Sequence, residues 1–309
     1  MSAETARRGP TVRRTDLRFK IGLNLRAVFG RAYPRVIGAN REPSWIFFEV
    51  FLPLLGIAAY VFIYQAFGAA ALAQGKDPTS VNAQTNALVA TVVLGGTMVA
   101  FWLNVLWSMA SQLYWEKEIG NLQIYMMAPM SRMALLAGMA IGGMFMTSVR
   151  ALSTLVAGIV VFGVVFEVAN PWMLLAVFFV TLIALYGMGM MFASLYLLWG
   201  REAWNLSALL EEPIFFSSGM YFPVGGLRLV PTWGSAVAIA GSIVPATLGL
   251  DALRQLTLPR ISLLPLASPT TELEILLVLA VGFLLLARYA LAYLETLAKR
   301  EGKLTSRHQ

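Results

Sequence analysis

The chain of 309 residues has no cysteine and a single histidine, His308, next to its C-terminus. The lack of cysteine excludes disulfide bridges and cysteine-based metal sites. A lone histidine leaves no cluster for metal binding or acid–base chemistry. Charged residues make up only 13% of the chain, about half of their share in soluble domains. We therefore expect that this chain binds no metal or cofactor itself and is not an enzyme.

Apolar residues make up 58% of the chain, more than one soluble core can bury, so the bilayer is the expected solvent. A span needs about 20 apolar residues. The sequence predicts an all-α integral membrane protein with six transmembrane helices, at residues 45–67, 86–113, 133–165, 171–199, 204–222 and 273–294. The fifth is the weakest, because Glu211, Glu212 and Pro213 interrupt it.

The segment between the fifth and sixth predicted spans is rich in glycine and proline. It contains the moderately apolar run 232–250, which Gly241 and Pro245 interrupt. This run is either a seventh span or a broken pair of short helices, and we expect outer re-entrant helices. The domain organisation is then a cytoplasmic segment over 1–44, a transmembrane domain over 45–294 and a cytoplasmic tail over 295–309.

The distribution of basic residues predicts the orientation. The net charge is +7, and ten of the 23 Lys and Arg residues lie within residues 1–44. With six spans and the N-terminus inside, 17 basic residues face the cytoplasm and four face outward, as the positive-inside rule requires. This predicts a multi-pass protein of the cell inner (plasma) membrane with both termini cytoplasmic. No base-stacking pattern accompanies the charge, so we expect no nucleic-acid partner.

The stretch before the first span has the pattern of an amphipathic helix. Within residues 17–33, apolar side chains share one helical face and basic side chains lie mostly off it. The apolar face consists of Leu17, Ile21, Leu25, Val28, Phe29 and Ala32. We expect this helix to lie against membrane lipid in the cytoplasmic interface. The alternative is a soluble helix packed on another domain.

A second amphipathic segment, residues 114–132, separates the second and third predicted spans. Glu116, Lys117 and Glu118 end the preceding apolar run, and a short apolar stretch follows before Pro129. A short amphipathic helix between two spans suits docking on a soluble partner. The alternative is an ordinary interfacial loop that aromatic side chains anchor.

Two local patterns resemble those of the type-2 permeases of ATP-binding-cassette (ABC) exporters, and the resemblance extends over residues 17–295. The first pattern follows the second span and consists of Glu116, Gly120, Leu122, Pro129 and Arg132. The second lies between the last two spans and consists of Pro213, Ser218, Gly219, Phe222, Pro223, Pro231, Pro245, Asp251 and Arg254. The sequence departs from the family at Asn121 and Gln123, where the family often has threonine and glutamate.

The resemblance implies the transmembrane subunit of an ATP-driven exporter for a hydrophobic or amphipathic substrate, such as a drug or antibiotic, a lipid or a lipid-linked glycan. It implies a second permease subunit, the same or a related chain, and a cytosolic ABC ATPase subunit that binds ATP and magnesium. The sequence contains no Gly-x-x-x-x-Gly-Lys-Ser/Thr motif, so we expect the ATPase on a separate chain. An ion-coupled secondary transporter is the alternative function.

The same resemblance implies roles for particular residues. The ATPase-coupling residues would be Glu116, Gly120, Leu122, Tyr125, Pro129 and Arg132. An outer gate would be formed by Phe215, Phe216, Tyr221 and Phe222. The alternative for these four residues is an aromatic belt at the outer interface.

Three polar residues lie inside the predicted spans. Arg150 is in the middle of the third run, where a guanidinium is costly without a partner. Glu211 and Glu212 are the predicted partners in a structural ion pair, and the alternative is a polar contact for substrate. Two glycine pairs predict close packing between spans. They are Gly138 with Gly142 and Gly187 with Gly189.

Overall fold

The computed structural model describes residues 17–39, 43–199, 202–258 and 264–300, and all regular secondary structure within them is helical. The α-helices in chain order are α1 (Leu17–Ala39), α2 (Pro43–Ala73), α3 (Pro78–Leu103), α4 (Gln112–Ile119), α5 (Asn121–Met127), α6 (Arg132–Val160), α7 (Pro171–Trp199), α8 (Ala203–Ser218), α9 (Gly234–Gly241), α10 (Pro245–Thr257) and α11 (Pro269–Arg300). A π-helical stretch, Asn104–Met109, follows α3, and a 3₁₀ helix, Val224–Leu229, follows α8. Residues 1–16 of the predicted cytoplasmic segment and residues 301–309 of the predicted cytoplasmic tail lie outside the described residues.

Within the described ranges, five helical segments are long and apolar enough to cross a membrane. They are Leu54–Ala73, Pro78–Ile119, Arg132–Val160, Pro171–Tyr196 and Pro269–Leu297. The total rises to six if the bent pair of α9 and α10 counts as one span. The chain therefore has the helices of an all-α, multi-pass membrane protein, as its composition predicts.

The fifth predicted span, 204–222, corresponds to α8, which has only 16 residues. At 1.5 Å per residue it is about 24 Å long, which is shorter than the roughly 30 Å hydrocarbon core of a bilayer. The helix ends at Gly219, which has a left-handed conformation with a φ of 67°. Six membrane crossings therefore stay a prediction.

The run 232–250 is broken, as its glycine and proline predict. Helices α9 and α10 meet at an angle of 98°. Pro245 occupies the first turn of α10, where its missing N–H costs no hydrogen bond. Almost every residue of α10 is buried, and this helix packs against α3, α7 and α11. A re-entrant course of the pair stays a prediction.

The core lies where α3, the π-helical stretch, α6, α7, α10 and α11 meet. Its largest fully buried side chains include Trp102, Phe101 and Tyr186. The Tyr186 hydroxyl donates a hydrogen bond of 2.9 Å to Oδ1 of Asn104, the first residue of the π-helical stretch. This bond satisfies two polar groups that would otherwise be costly in an apolar core.

Hydrogen bonds and ion pairs show which helix ends lie together. Near the start of α3, the Asn86 side chain bonds the backbone of Val165 in the loop between α6 and α7. Backbone hydrogen bonds join the same loop to the end of α10. At the opposite end, Arg132 at the start of α6 pairs with Glu295 near the end of α11. We call these two ends of the bundle the loop end and the α5 end.

Helix α1 packs along α6 at the α5 end. A Cβ added at Gly138 would lie 2.7 Å from the Val28 carbonyl oxygen, and one added at Gly142 would lie 3.2 Å from the Arg35 Cβ. The prediction of span–span packing at these two glycines is therefore corrected, because their partner is the N-terminal helix. Gly187 does pack between spans, against side chains of α11.

The apolar face predicted for residues 17–33 is divided between two environments. Val28 and Ala32 lie against α6. The other members of the face are exposed and continue as a stripe at every fourth residue. The stripe consists of Leu17, Ile21, Leu25, Phe29, Tyr33 and Ile37. A position of this stripe in a membrane interface stays a prediction.

We expect Gly138→Leu to separate α1 from α6, because the new side chain must displace the α1 backbone. Such overpacking typically costs about 1–3 kcal/mol. Limited proteolysis within α1 and the thermal unfolding midpoint in detergent measure the effect. Gly282→Leu on α11 is the matched control, since a Cβ added there meets nothing within 4 Å. Equal protease resistance of the two variants would contradict the packing of α1 on Gly138.

Candidate functional site

The segment between α3 and α6 contains two short helices where the sequence predicts one. Helix α4 follows α3 through the π-helical stretch and ends at Gly120. Gly120 has a φ of 88°, a left-handed conformation that glycine adopts without the steric cost of a Cβ. Helix α5 begins at the next residue, Asn121. The left-handed residue therefore ends one helix and starts the other.

The Glu116 side chain is on the buried side of this segment and not on its exposed surface. The residue is only 5% exposed. It forms an ion pair with Arg31 of α1 and accepts a hydrogen bond of 3.1 Å from the Asn121 amide. Arg31 also donates to Gln112 Oε1 at 3.1 Å and lies 6.0 Å from the centre of the Tyr125 ring. These contacts tie α1, α4 and α5 together.

Burial shifts the ionisation of two groups beside this cluster. Burial, followed by repulsion from Arg31, lowers the pKa of Arg35, which donates a hydrogen bond to Ser108. Burial raises the pKa of the Tyr125 hydroxyl, and the positive charge of Arg31 opposes that shift. Arginine stays protonated in proteins, and a tyrosine with a raised pKa is neutral at pH 7. Arg35 is therefore charged and Tyr125 neutral near pH 7.

Two further predicted coupling residues contact the helices behind the segment. Leu122 is buried in the core. The Arg132 guanidinium lies 3.4 Å from Glu295 and donates a hydrogen bond of 3.5 Å to the Met126 carbonyl. The segment is thereby tied to α11 as well as to α1. Of the remaining predicted residues, Pro129 is exposed and Tyr125 is half-buried.

Most of the exposed surface of the segment is apolar, with Gln123 and Ser131 as its exposed polar residues. Ile119, Ile124 and Met127 are 67%, 61% and 79% exposed, and we call these three side chains the apolar ridge. Ile124 and Met127 lie outside the helical segments that are long and apolar enough to cross a membrane. Sequence reasoning identified this stretch as apolar but missed the ridge, because the outward side is decided by where α1 packs.

The predicted gate residues divide between two contacts. Tyr221 stacks on Tyr60 of α2 with ring centres 4.2 Å apart, and its ring centre lies 6.1 Å from that of Phe215. Phe216 is exposed, and its ring centre lies 6.1 Å from that of Trp233. The structure therefore brings together Phe215 and Tyr221 of the predicted set, beside α2.

The turn that carries Tyr221 is held by Arg254, which sequence reasoning identified only as part of a family pattern. We call residues 219–222 the gate turn. Arg254 is 2% exposed and donates hydrogen bonds to four carbonyl oxygens. The acceptors are Gly219 at 2.7 Å, Thr91 at 3.2 Å, Phe222 at 3.3 Å and Met220 at 3.4 Å. On its other side the turn touches α3, where a Cβ added at Gly95 would lie 1.4 Å from the Met220 carbonyl oxygen.

Comparison of the chain with protein-family models and with curated proteins gives no match. The likeness to type-2 permeases therefore depends on the residues quoted above. The family, the activity and the partners of this chain are therefore proposals, which we argue below from the geometry of the segment and of the gate turn.

Arg150 lies about 27 Å along α6 from Arg132, at 1.5 Å per residue. It lines a cavity of about 270 Å³ together with residues of α2, α3, α8 and the gate turn. Glu211 accepts a hydrogen bond of 2.8 Å from the Trp107 indole, and Glu212 is exposed. The pairing of Arg150 with Glu211 or Glu212 stays a prediction.

Two buried carboxylates, Asp251 and Glu272, form a cluster that sequence reasoning missed. The Gln255 amide donates to both, at 3.4 Å to Asp251 and 3.2 Å to Glu272. The backbone N–H groups of Leu266 and Ala267 donate to the same carboxylates. The available signal was an acidic residue in the first turn of a helix, which is too common to single out Glu272. Within the described residues, no three His, Cys, Asp or Glu side chains are grouped so that they could hold a metal ion.

Proposed function

We propose that this chain is the transmembrane subunit of an ABC exporter, which moves a hydrophobic or amphipathic substrate out of the cytoplasm or the inner leaflet. The apolar ridge carries the proposal. It is an exposed surface on a segment that two ion pairs join to the helices behind it, at one end of a bundle of apolar helices. A supported apolar surface of this kind suits a groove on a soluble partner.

The partner that fits the ridge is a cytosolic ABC ATPase subunit, with ATP and magnesium bound on that subunit. Rigid-body transmission requires a segment that moves together with the helices behind it. Helix α4 belongs to the same long helical segment as α3, and ion pairs join the segment to α1 and α11. Glu116, Leu122 and Arg132 then act as internal supports, while the ridge contacts the ATPase.

The course of the chain supports six passes through the membrane. Helix α7 starts at the loop end. Helix α10 ends there, because its last residues bond the 161–170 loop. Helix α11, the next helix in the chain, also starts there, since its other end pairs with Arg132 at the α5 end. The chain must therefore return once between them, and α8 to α10 together form this broken fifth pass.

The ends of the described chain support the orientation. Helix α1 and the end of α11 both lie at the α5 end. The excess of basic residues assigns this end to the cytoplasm. The exposed stripe of α1 then lies in the inner interface of the plasma membrane, against lipid.

A second permease subunit, the same or a related chain, would complete the pathway. Helix α2 is the least buried of the helices that can span a membrane, so most of its surface is available to lipid or to a second subunit. Tyr60 of α2 stacks on Tyr221 of the gate turn. Movement of α2 against its neighbours would therefore act directly on the gate turn, which we assign to the outer half of the pathway.

We expect that Ile124→Asp combined with Met127→Asp abolishes attachment of the ATPase. Two carboxylates that lose water in an apolar interface cost several kcal/mol, or on the order of a hundredfold or more in affinity. The measurement is copurification of an ATP-hydrolysing subunit with the chain, followed by ATP-dependent export from reconstituted vesicles. Val168→Asp is the matched control, because Val168 is an exposed apolar residue at the loop end. If no ATPase copurifies with the wild-type chain, or if the ridge variant keeps it, the proposal fails.

An ion-coupled secondary transporter is the second candidate function, and the buried Asp251–Gln255–Glu272 cluster favours it. Such transporters use buried titratable groups along the ion pathway. The test is transport by vesicles that contain this chain alone, driven by a proton gradient without ATP. Transport under these conditions would favour the second candidate. Export that requires ATP and persists after the gradient is collapsed would favour the exporter.

A further inference from the structure

Helix α8 lies between the gate turn and the segment that separates α3 from α6. Helix α7 starts at the loop end, so α8, the next helix in the chain, starts at the α5 end, where its first turn contacts α4. It ends at Gly219, the first residue of the gate turn. Its 16 residues extend over about 24 Å at 1.5 Å per residue. One helix therefore connects the two parts of the molecule that the proposed function relates.

The first turn of α8 packs against the segment through aromatic rings. The Trp204 ring centre lies 6.0 Å from that of Trp107 in the π-helical stretch and 6.0 Å from that of Trp115 in α4. Both contacts are edge-to-face, with interplanar angles of 63° and 79°, an arrangement that aromatic pairs favour. The start of α8 is therefore packed on both the π-helical stretch and α4.

Two hydrogen bonds extend this contact along α8. The Ser207 hydroxyl donates to the Leu106 carbonyl at 3.4 Å. The Trp107 indole donates to Glu211 Oε2 at 2.8 Å. Trp204, Ser207 and Glu211 follow each other at intervals of three and four residues, a spacing that places them on one face of a helix. This face of α8 is therefore bound to the π-helical stretch over about two turns.

The π-helical stretch is the junction at which α3 continues into α4. Short π-helical turns inside longer helices occur frequently at functional sites. Here side chains bond the backbone of the turn, because Ser207 donates to the Leu106 carbonyl and Ser111 donates to the Trp107 carbonyl at 2.7 Å. Movement of α4 against α3 would displace this junction, and with it the face of α8 that is bound to it.

We infer that α8 transmits movement of the segment to the gate turn, and that the hydrogen bond between Trp107 and Glu211 positions α8 for this role. A carboxylate acceptor makes this bond stronger than one between neutral groups. At the other end of α8, the Phe215 ring centre lies 6.1 Å from that of Tyr221 in the gate turn. A shift of α8 would therefore reach the gate turn through the chain and through this ring contact. As a statement about movement that the ATPase drives, the inference rests on the proposed function.

The test is the rate at which a maleimide modifies Met220→Cys in the purified chain in detergent, where it is the only thiol. Met220 is fully buried, so a slow rate reports a closed gate turn. We expect Trp107→Phe and Glu211→Met each to raise this rate about tenfold, as loss of a hydrogen bond to a charged group provides. Glu211→Gln should keep the slow rate, because its amide oxygen still accepts from the indole. Trp107→Phe combined with Glu211→Met should react no faster than either single variant, since both remove the same bond.

A change at the far end of α8 tests transmission along the helix. Trp204→Ala removes the ring contacts of the first turn, about 22 Å along the helix from Gly219. It should raise the rate at Met220→Cys about fivefold or more, as two lost ring contacts provide. Trp172→Ala is the matched control, because it removes an exposed indole of α7 at the loop end. Glu295→Ala breaks an ion pair at the α5 end on α11 and not on α8, so both control variants should keep the slow rate.

A second reporter separates transmission from general loosening of the bundle. Val164 is buried in the 161–170 loop at the loop end, and Val164→Cys should stay unreactive in every variant above. An unchanged rate at Met220→Cys in Trp107→Phe or Trp204→Ala would overturn the inference, and so would an equal rise at Val164→Cys or in a control variant. The assay contains no ATPase, so its failure is distinguishable from failure of the proposed export function.

Discussion

Replacement of Arg254 with methionine is expected to release the gate turn and to lower the free energy of unfolding by about 3 kcal/mol or more. Methionine is also long and flexible but donates no hydrogen bond, so four carbonyl oxygens lose the donor that they share. Each buried polar group without a partner costs about 1–3 kcal/mol. The thermal unfolding midpoint in detergent should fall by roughly 5–10 °C. The unfolding midpoint of Arg254→Lys should lie between those of the wild type and Arg254→Met, because an ammonium cannot reproduce the planar hydrogen-bonding geometry of a guanidinium.

Release of the gate turn can be measured separately from global stability. The chain has no cysteine, so Met220→Cys introduces the only thiol. Met220 is fully buried. A cysteine thiol at this position should therefore not react with a membrane-impermeant maleimide in the Met220→Cys protein, but it should react in the double variant that also carries Arg254→Met. Arg228→Met is the matched control, since Arg228 is exposed and donates to the Leu266 carbonyl at 2.8 Å. Unchanged labelling after Arg254→Met would contradict the role of Arg254 in holding the turn.

The long apolar runs were predictable because burial in a bilayer leaves little choice of structure. A run of apolar residues long enough to cross must satisfy its backbone internally, and a helix does this. Helices α2, α3, α6, α7 and α11 therefore follow from composition alone. The break before Pro245 is equally local, because proline favours the first turn of a new helix. The length of α8 was not predictable in this way, since Gly219 ends it before the apolar run ends.

The contacts of the candidate site were not predictable because they join distant parts of the chain. Arg31 and Glu116 are 85 positions apart, and Arg254 reaches carbonyl oxygens up to 163 positions away. These pairings depend on how helices are rotated against each other, which a single sequence does not specify. The sequence predicts Glu116 as a coupling residue of the docking segment, yet the packing of α1 buries its side chain. A charged residue at the end of an apolar run suggests exposure, and here the ion pair with Arg31 reverses that expectation.

Charge reversal at Glu116 is expected to have the second large effect. Glu116→Lys places an ammonium beside Arg31 at a position that is only 5% exposed, and an unpaired charge at a buried position costs about 3–5 kcal/mol. Helix α1 should detach from α4, which limited proteolysis within α1 and the thermal midpoint would detect. Lys299→Ala is the matched control, because it breaks a more exposed ion pair with Glu295. Exposed pairs contribute less than about 1 kcal/mol, so α1 should stay attached in the control.

The paired reversal, Arg31→Glu with Glu116→Arg, separates two roles for Glu116. If Glu116 supports the segment through α1, as its exposure of 5% indicates, the second reversal should restore both α1 attachment and ATP-dependent export. The coupling energy of the double-mutant cycle should then reach about 2 kcal/mol. If Glu116 contacts the ATPase directly, α1 should attach again while export stays lost. Failure to restore α1 attachment would contradict the ion pair itself. If Glu116 only supports the segment, the ATPase contacts the apolar ridge alone. Exchange of the charges at positions 31 and 116 should then not restore ATPase attachment to the variant with Ile124→Asp and Met127→Asp.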